Sequence, residues 1–132
     1  MKNLERFAKP VLRIALSLVF VSFGIMQLGN SLEWSGFVPD FALSLGFQAI
    51  TLVKINAILE LSFGVLMLLG LYTRIVALIL SLHLFVIASS LGFNDLAVRD
   101  FGLAFATLAV FLNGPDDFCL DKKFNKPLTS NP

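Results

Sequence analysis

The sequence predicts an all-α fold: a membrane-embedded antiparallel four-helix bundle with both termini cytoplasmic and a short interfacial helix after the first span. Three observations lead there. Hydrophobic residues make up 57% of the chain and charged residues 14%, against about half and about a quarter in a soluble domain. The mean hydropathy is +0.85, more apolar surface than one soluble domain of 132 residues can bury. The apolar residues fall into four stretches, 11–29, 48–71, 75–92 and 96–113. Each is long enough, at about 1.5 Å per helical residue, to cross a hydrocarbon core of roughly 30 Å. Finally, the loop cations fall on one side, which sets the orientation. Lys2, Arg6, Lys9 and Arg13 precede or open the first stretch, Arg74 lies between the second and third, and Lys122, Lys123 and Lys126 follow the fourth. The other loops carry Glu33, Asp40 and Asp95.

The first stretch is too long for the apolar region of a cleaved signal peptide. The segment "MQLGNSLEWSG" that ends it lacks a small-residue cleavage site. It reads as a retained helix with Arg13, Ser17, Phe20, Gly24 and Gln27 on one face, and with Arg13 as an interfacial anchor. The connection "NSLEWSGFVPDFALSLGF" places Pro39 and Asp40 as a helix start. Phe37, Phe41 and Leu45 recur every four residues, so a helix over about 37–47 is expected to lie on the outer surface, with Trp34 as an interfacial aromatic.

The second stretch, "INAILELSFGVLML" at its centre, sets Asn56, Glu60 and Gly64 on one face. Lys54 is shallow and Glu60 near mid-depth. The third places His83 at a similar depth. The fourth opens with Arg99 and Asp100 in its outer third, and Thr107 continues the Asp100 face. Asn113, Gly114 and Pro115 then stop the helix. A short polar tail over 114–132 follows, expected to be mobile at its end, and the chain reads as one domain over 1–132.

Several functions are excluded by composition. A net charge of +1 gives no bulk field to recruit nucleic acid. A single cysteine, Cys119, rules out an intrachain disulfide, a C-x-x-C redox pair and four-thiolate metal sites. No phosphate loop, dinucleotide fingerprint or metal-ligand spacing occurs, and one histidine cannot make a bis-histidine haem site.

What remains is the set of polar residues inside the spans. A charged residue at the bilayer centre costs about 2.5–3.5 kcal/mol on insertion scales, so such residues face the bundle interior. Two clusters follow. Glu60 with His83 forms a mid-depth pair suited to proton handling. Gln27, Lys54, Asn56, Arg99 and Asp100 form an outer group suited to ligand binding, with Lys54 alternatively snorkelling to the headgroups. Together they describe a polar cavity that opens outward. The competing reading of each is structural: a carboxyl, an imidazole or an ion pair that only ties helices together. Aromatic walls with a few polar groups also suit a lipid-like quinone.

The segments "LRIALSLVFVSFGIMQL", "GFVP", "ILELSFGVLMLLGLYTR" and "RDFGLAFATLAVFLNGPDDFCLD" occur in the order found in one family. The chain resembles the DoxX family of small four-helix membrane proteins, with Glu60, Gly64, Gly70, Arg74, Arg99 and Asp100 carrying the likeness. Lys is common in that family where Gln27 stands, and Ser where Cys119 stands. The resemblance implies a bacterial inner-membrane location and a link to quinone-dependent sulfur oxidation or to thiol balance. Three functions stay open: a subunit or accessory of a quinone-linked or thiol/sulfur redox system, a non-enzymatic scaffold or assembly factor for a membrane-complex partner or a homo-oligomer, and a small proton-coupled transporter.

Overall fold

The computed structural model describes residues 2–125, and among these the chain is all-α, with no strand. Four long helices, α1 (Lys2–Gly29), α4 (Ala49–Leu69), α5 (Thr73–Ser90) and α6 (Asp95–Asn113), are joined by short elements α2 (Ser31–Trp34) and α3 (Asp40–Leu43). A last helix, α7 (Leu120–Phe124), follows. Three of them, α1, α4 and α5, are long and apolar enough to cross a membrane. α6 has similar length and carries Asp95, Arg99 and Asp100 in its first two turns. The helices match the apolar stretches to within a few residues, except that α1 starts well before residue 11 and runs through Pro10.

The long helices pack as two antiparallel pairs. α1 lies along α4, and α5 lies along α6. Two glycines bring the first pair together. A side chain at Gly24 would meet Ala57 O and Leu61 Cβ at 2.9 Å, and one at Gly64 would meet Phe20 Cβ at 3.1 Å. In the second pair Ser81 Oγ donates to Ala104 O at 2.9 Å. Phe85 packs edge-on against Phe105 with centroids 4.9 Å apart, the geometry aromatic pairs favour.

The end holding Lys2 and Asn125, the first and last described residues, is closed. Leu16, Phe20, Met67, Val76, Leu80, Leu84, Ala104 and Val110 make one buried cluster there. The opposite end, where α1 runs into α2 and α5 turns into α6, is hollow. The expected helix over 37–47 is present in shortened form: α2 and a single 3₁₀ turn over Ser35–Phe37 come first, and α3 then starts at Asp40, as Pro39 and Asp40 predict, and ends at Leu43. The turn over Ser35–Phe37 meets extended Val38 and Pro39. The ring fixes the proline φ and disfavours a helical residue before it, so one continuous helix cannot form.

Arg13 and the tail are also placed differently from expectation. Arg13 is 2% exposed and does not anchor an interface. Its Nη1 donates to Met67 O at 2.8 Å and Leu68 O at 2.7 Å, and its Nε donates to Asp116 Oδ2 at 2.6 Å. Carbonyls in the last turn of a helix lack intrahelical partners, and a cation there also suits the helix dipole. Asp121 does the converse at the start of α5, accepting from Tyr72 N–H at 2.7 Å, Thr73 N–H at 2.8 Å and the Thr73 hydroxyl at 2.8 Å. Between them Cys119 is fully buried. A side chain on Gly70 would meet its Cα at 2.6 Å, and Gly70 itself has φ +69°. That conformation closes α4 through Leu71 N–H to Leu66 O at 2.9 Å. The expected mobility at the end of the tail, and Lys126, lie outside the described residues.

Burial pushes the Asp116 carboxyl up, but the Arg13 hydrogen bond, the Phe118 N–H and the Arg13 charge outweigh it and hold it below its ordinary 3.8. Burial likewise raises Asp121, and the Thr73 and Tyr72 donors overcome it. A depressed carboxylate stabilises the fold fully above its unfolded value and loses that contribution as pH falls through the folded one. Thermal unfolding in detergent should therefore be insensitive to pH down to 3.8 and fall below it. Asp116→Asn should lower stability at neutral pH and flatten the acid limb; an unaltered acid limb would show that the pair does not govern it. Gly24→Val should cost about 1–3 kcal/mol by overpacking, while Gly102→Ala, where nothing lies within 4 Å, should be neutral in the same melts.

Candidate functional site

Closure at one end and a weak association between the two helix pairs leave a cleft of about 680 Å³ between them. Its walls are aromatic and aliphatic: Phe20, Phe23, Trp34, Phe37, Leu59 and Leu103 among others. Six of the residues singled out from the sequence as proton-handling or ligand-binding, namely Glu60, His83, Gln27, Asn56, Arg99 and Asp100, line it.

The carboxyl sits deepest. Glu60 is 4% exposed and accepts from Gln27 Nε2 at 2.8 Å. Gln27 Oε1 in turn accepts from Asn56 Nδ2 at 2.8 Å. Asn56 and Glu60 share a face because they are four apart on α4, and Gln27 reaches both from α1. The two clusters expected from the sequence are thus one, since Gln27 belongs to the carboxyl and not to a separate outer group. Lys54 does not join it; its side chain is exposed and outside the cleft.

His83 approaches from α5. Its Nε2 lies 3.7 Å from Glu60 Oε1, too far for a hydrogen bond. The same nitrogen is buried without any partner among the described residues. A buried polar atom without a partner costs free energy, and this one faces the cleft beside the carboxyl.

At the mouth, Arg99 donates through Nε to Asp100 Oδ1 at 2.9 Å and lies over the Phe23 ring at 5.0 Å. The Asp100 side chain is nearly enclosed and that of Arg99 is 45% exposed. The ring gives the guanidinium a cation–π contact, so Arg99 is held at the rim and keeps part of its donor fork toward the opening. Trp34 meets Phe23 edge-on at 5.8 Å and Phe37 at 6.1 Å. The short elements after α1 thereby become part of the wall. Trp34 and Phe37 entered the sequence reading only as interfacial residues, and their spacing gives no sign that they fold over the cleft.

A family model described as DoxX matches residues 8–93. The chain belongs to the DoxX family. The match covers α1 through α5 and ends before α6. The DoxX assignment therefore spans Gln27, Asn56, Glu60 and His83, while Arg99, Asp100 and the Asp116–Asp121 segment lie beyond it. No curated protein and no solved structure matches the chain. In this DoxX protein the cleft sets the Glu60 carboxyl, the His83 imidazole and the Gln27 and Asn56 side-chain amides among aromatic rings.

Replacing Gln27 by Leu strips Glu60 of its donor and Asn56 of its acceptor at once. Such buried losses cost about 1–3 kcal/mol each. A clear fall in melting temperature is the expected outcome, and a melt equal to that of the parent would show that the amide chain is not what holds α1 to α4.

Proposed function

We propose that this DoxX protein spans the bacterial inner membrane as a four-helix bundle, with α6 as its fourth span and both termini cytoplasmic. Its role is that of a subunit of, or accessory to, a quinone-linked or thiol/sulfur redox system. The cleft is its ligand site. The single observation that supports this most is the floor of the cleft: a buried carboxyl with one oxygen beside an imidazole nitrogen that has no partner among the described residues, under aromatic walls. Cofactor pockets are mostly apolar with a few convergent polar groups, and a quinone ring fits that description.

The donor set fits a quinone head group. Glu60 in its protonated form and a His83 N–H would donate to its carbonyl oxygens, Gln27 fixes the orientation of the carboxyl, and Phe23, Trp34 and Phe37 flank the ring. When bound, a quinone supplies two-electron, two-proton redox chemistry. The chain's own part is to bind and orient the ring, exclude bulk water from the floor and carry a proton at Glu60 Oε1 or His83 Nε2. The scaffold reading draws on the Gln27–Glu60 and Asn56–Gln27 bonds, which join α1 to α4 regardless of any ligand. The transporter reading has no comparable support.

Trp34 is the single tryptophan in the chain and lines the cleft, so a quinone entering it should quench the intrinsic fluorescence. Titration of purified protein in nanodiscs with a short-chain ubiquinone or menaquinone should give saturable quenching. Glu60→Gln should weaken it by roughly two- to tenfold, the net worth of one neutral hydrogen bond of about 0.5–1.5 kcal/mol. Quenching that does not saturate, or that Glu60→Gln and His83→Ala leave untouched, would dismiss the quinone reading and favour the scaffold.

A further inference from the structure

The cleft gives the buried pair a way out on one face. Its rim, carried by Glu33, Trp34, Pro39 and Arg99, lies at the end opposite the termini. It is polar at the rim and wide enough for water, which needs polar partners and about one probe volume of space. Toward the termini, Leu16, Met67, Leu80, Leu84 and Val110 close the interior.

Four buried hydroxyls, Ser17, Thr73, Ser81 and Thr107, do lie within that closed half. A proton relay needs each hydroxyl to accept from one neighbour and donate to the next. Thr73, at the start of α5, donates to Asp121 Oδ2 at 2.8 Å, whereas Ser17, Ser81 and Thr107 each donate to a backbone carbonyl, Arg13 O at 2.7 Å, Ala104 O at 2.9 Å and Leu103 O at 2.7 Å respectively. A carbonyl oxygen has no proton to hand on, so the chain stops at each. Beyond them the Arg13 guanidinium is committed to Met67 O, Leu68 O and Asp116.

We infer that Glu60 and His83 exchange protons with the compartment facing the open end of the cleft and not with the compartment facing the termini. The groups around the pair agree with this arrangement. α1 presents the neutral Gln27, α4 the neutral Asn56, and α6 presents Arg99 and Asp100 at the rim, with Glu33 on α2 beyond them. Every titratable or charged group in the cleft other than the pair itself thus lies on its open side. Lys54 points away. A reaction that takes up or gives off a proton at Glu60 draws it from, or delivers it to, that one compartment, whatever ligand the cleft holds. In a membrane this makes the site vectorial.

The inference rests on the membrane-spanning reading and not on the quinone. Its test uses the full chain without ligand, reconstituted in sealed vesicles, with protease access to a C-terminal tag reporting orientation. Difference infrared spectroscopy reads the protonated carboxyl band of Glu60, assigned by its loss in Glu60→Gln and its displacement in Glu60→Asp, which keeps an acid at the site if the amide variant does not fold. The pH of the lumen and of the medium are then set independently. The band should follow the pH on the side opposite the tag and ignore the other. A band that follows the tag side, follows both sides or responds to neither overturns the inference. Because no quinone is present, that failure leaves the ligand reading standing, and a failure to bind quinone leaves this one standing.

Discussion

The buried pair between Arg13 and Asp116 is the contact on which the rest of the arrangement depends. Its partners are 103 positions apart, so it draws the start of the chain, the end of α4 and the segment after α6 to one point. Two orphan carbonyls of α4 and one carboxylate satisfy the guanidinium, and in exchange the helix end gains a cation against its dipole. A buried charge pair is retained only when its remaining valences are met, and here the backbone meets them. Asp121 repeats the logic with reversed sign on the first turn of α5. The α4–α5 turn is thereby held from both sides, and Gly70 is needed because no side chain fits under Cys119.

Closing one end is what allows the other to stay open. The helices of each pair meet along their length, but the pairs touch each other mainly through the cluster around Met67, Leu80 and Ala104. Away from that cluster they diverge, and the space between them holds the polar residues. In lipid, helix association draws on close packing and interhelical hydrogen bonds, because lipid is as apolar as the side chains. The Gly24–Gly64 approach and the Asn56–Gln27–Glu60 chain supply both to α1 and α4. The carboxyl is then held rigid by one pair of helices while His83 comes from the other. The 3.7 Å gap between them is therefore set by how the two pairs are spaced.

Much of the site was legible in the sequence, because burial in these helices follows a simple period. Arg13, Ser17, Phe20, Gly24 and Gln27 were placed on one face of α1, and all five are buried. Glu60 and Gly64, and Asp100 with Thr107, are buried as their spacing requires. Lys54, six residues from Glu60, falls on the other side of α4, as the period demands. What the period could not show was the partner of each residue. Gln27 was given to an outer group because its depth along α1 suggested it, yet its long side chain reaches the carboxyl. The helix after α1 is shorter than its pattern suggested, since Phe37 and Val38 precede the proline and α3 ends at Leu43, and Trp34 packs onto Phe23.

Hydropathy, helical period and the sidedness of loop charge are properties of short windows. From them the sequence alone determined the all-α class, the long apolar helices and which face of each carries polar groups. The tertiary structure alone decided that Arg13 is buried instead of interfacial, that the segment after α6 folds back as a clamp, and that six residues from four helices share one cleft. The physical reason is range. An amphipathic face says that a residue turns inward, but the energy that selects its partner arises between segments tens of residues apart, where only the packed chain brings donor and acceptor within reach.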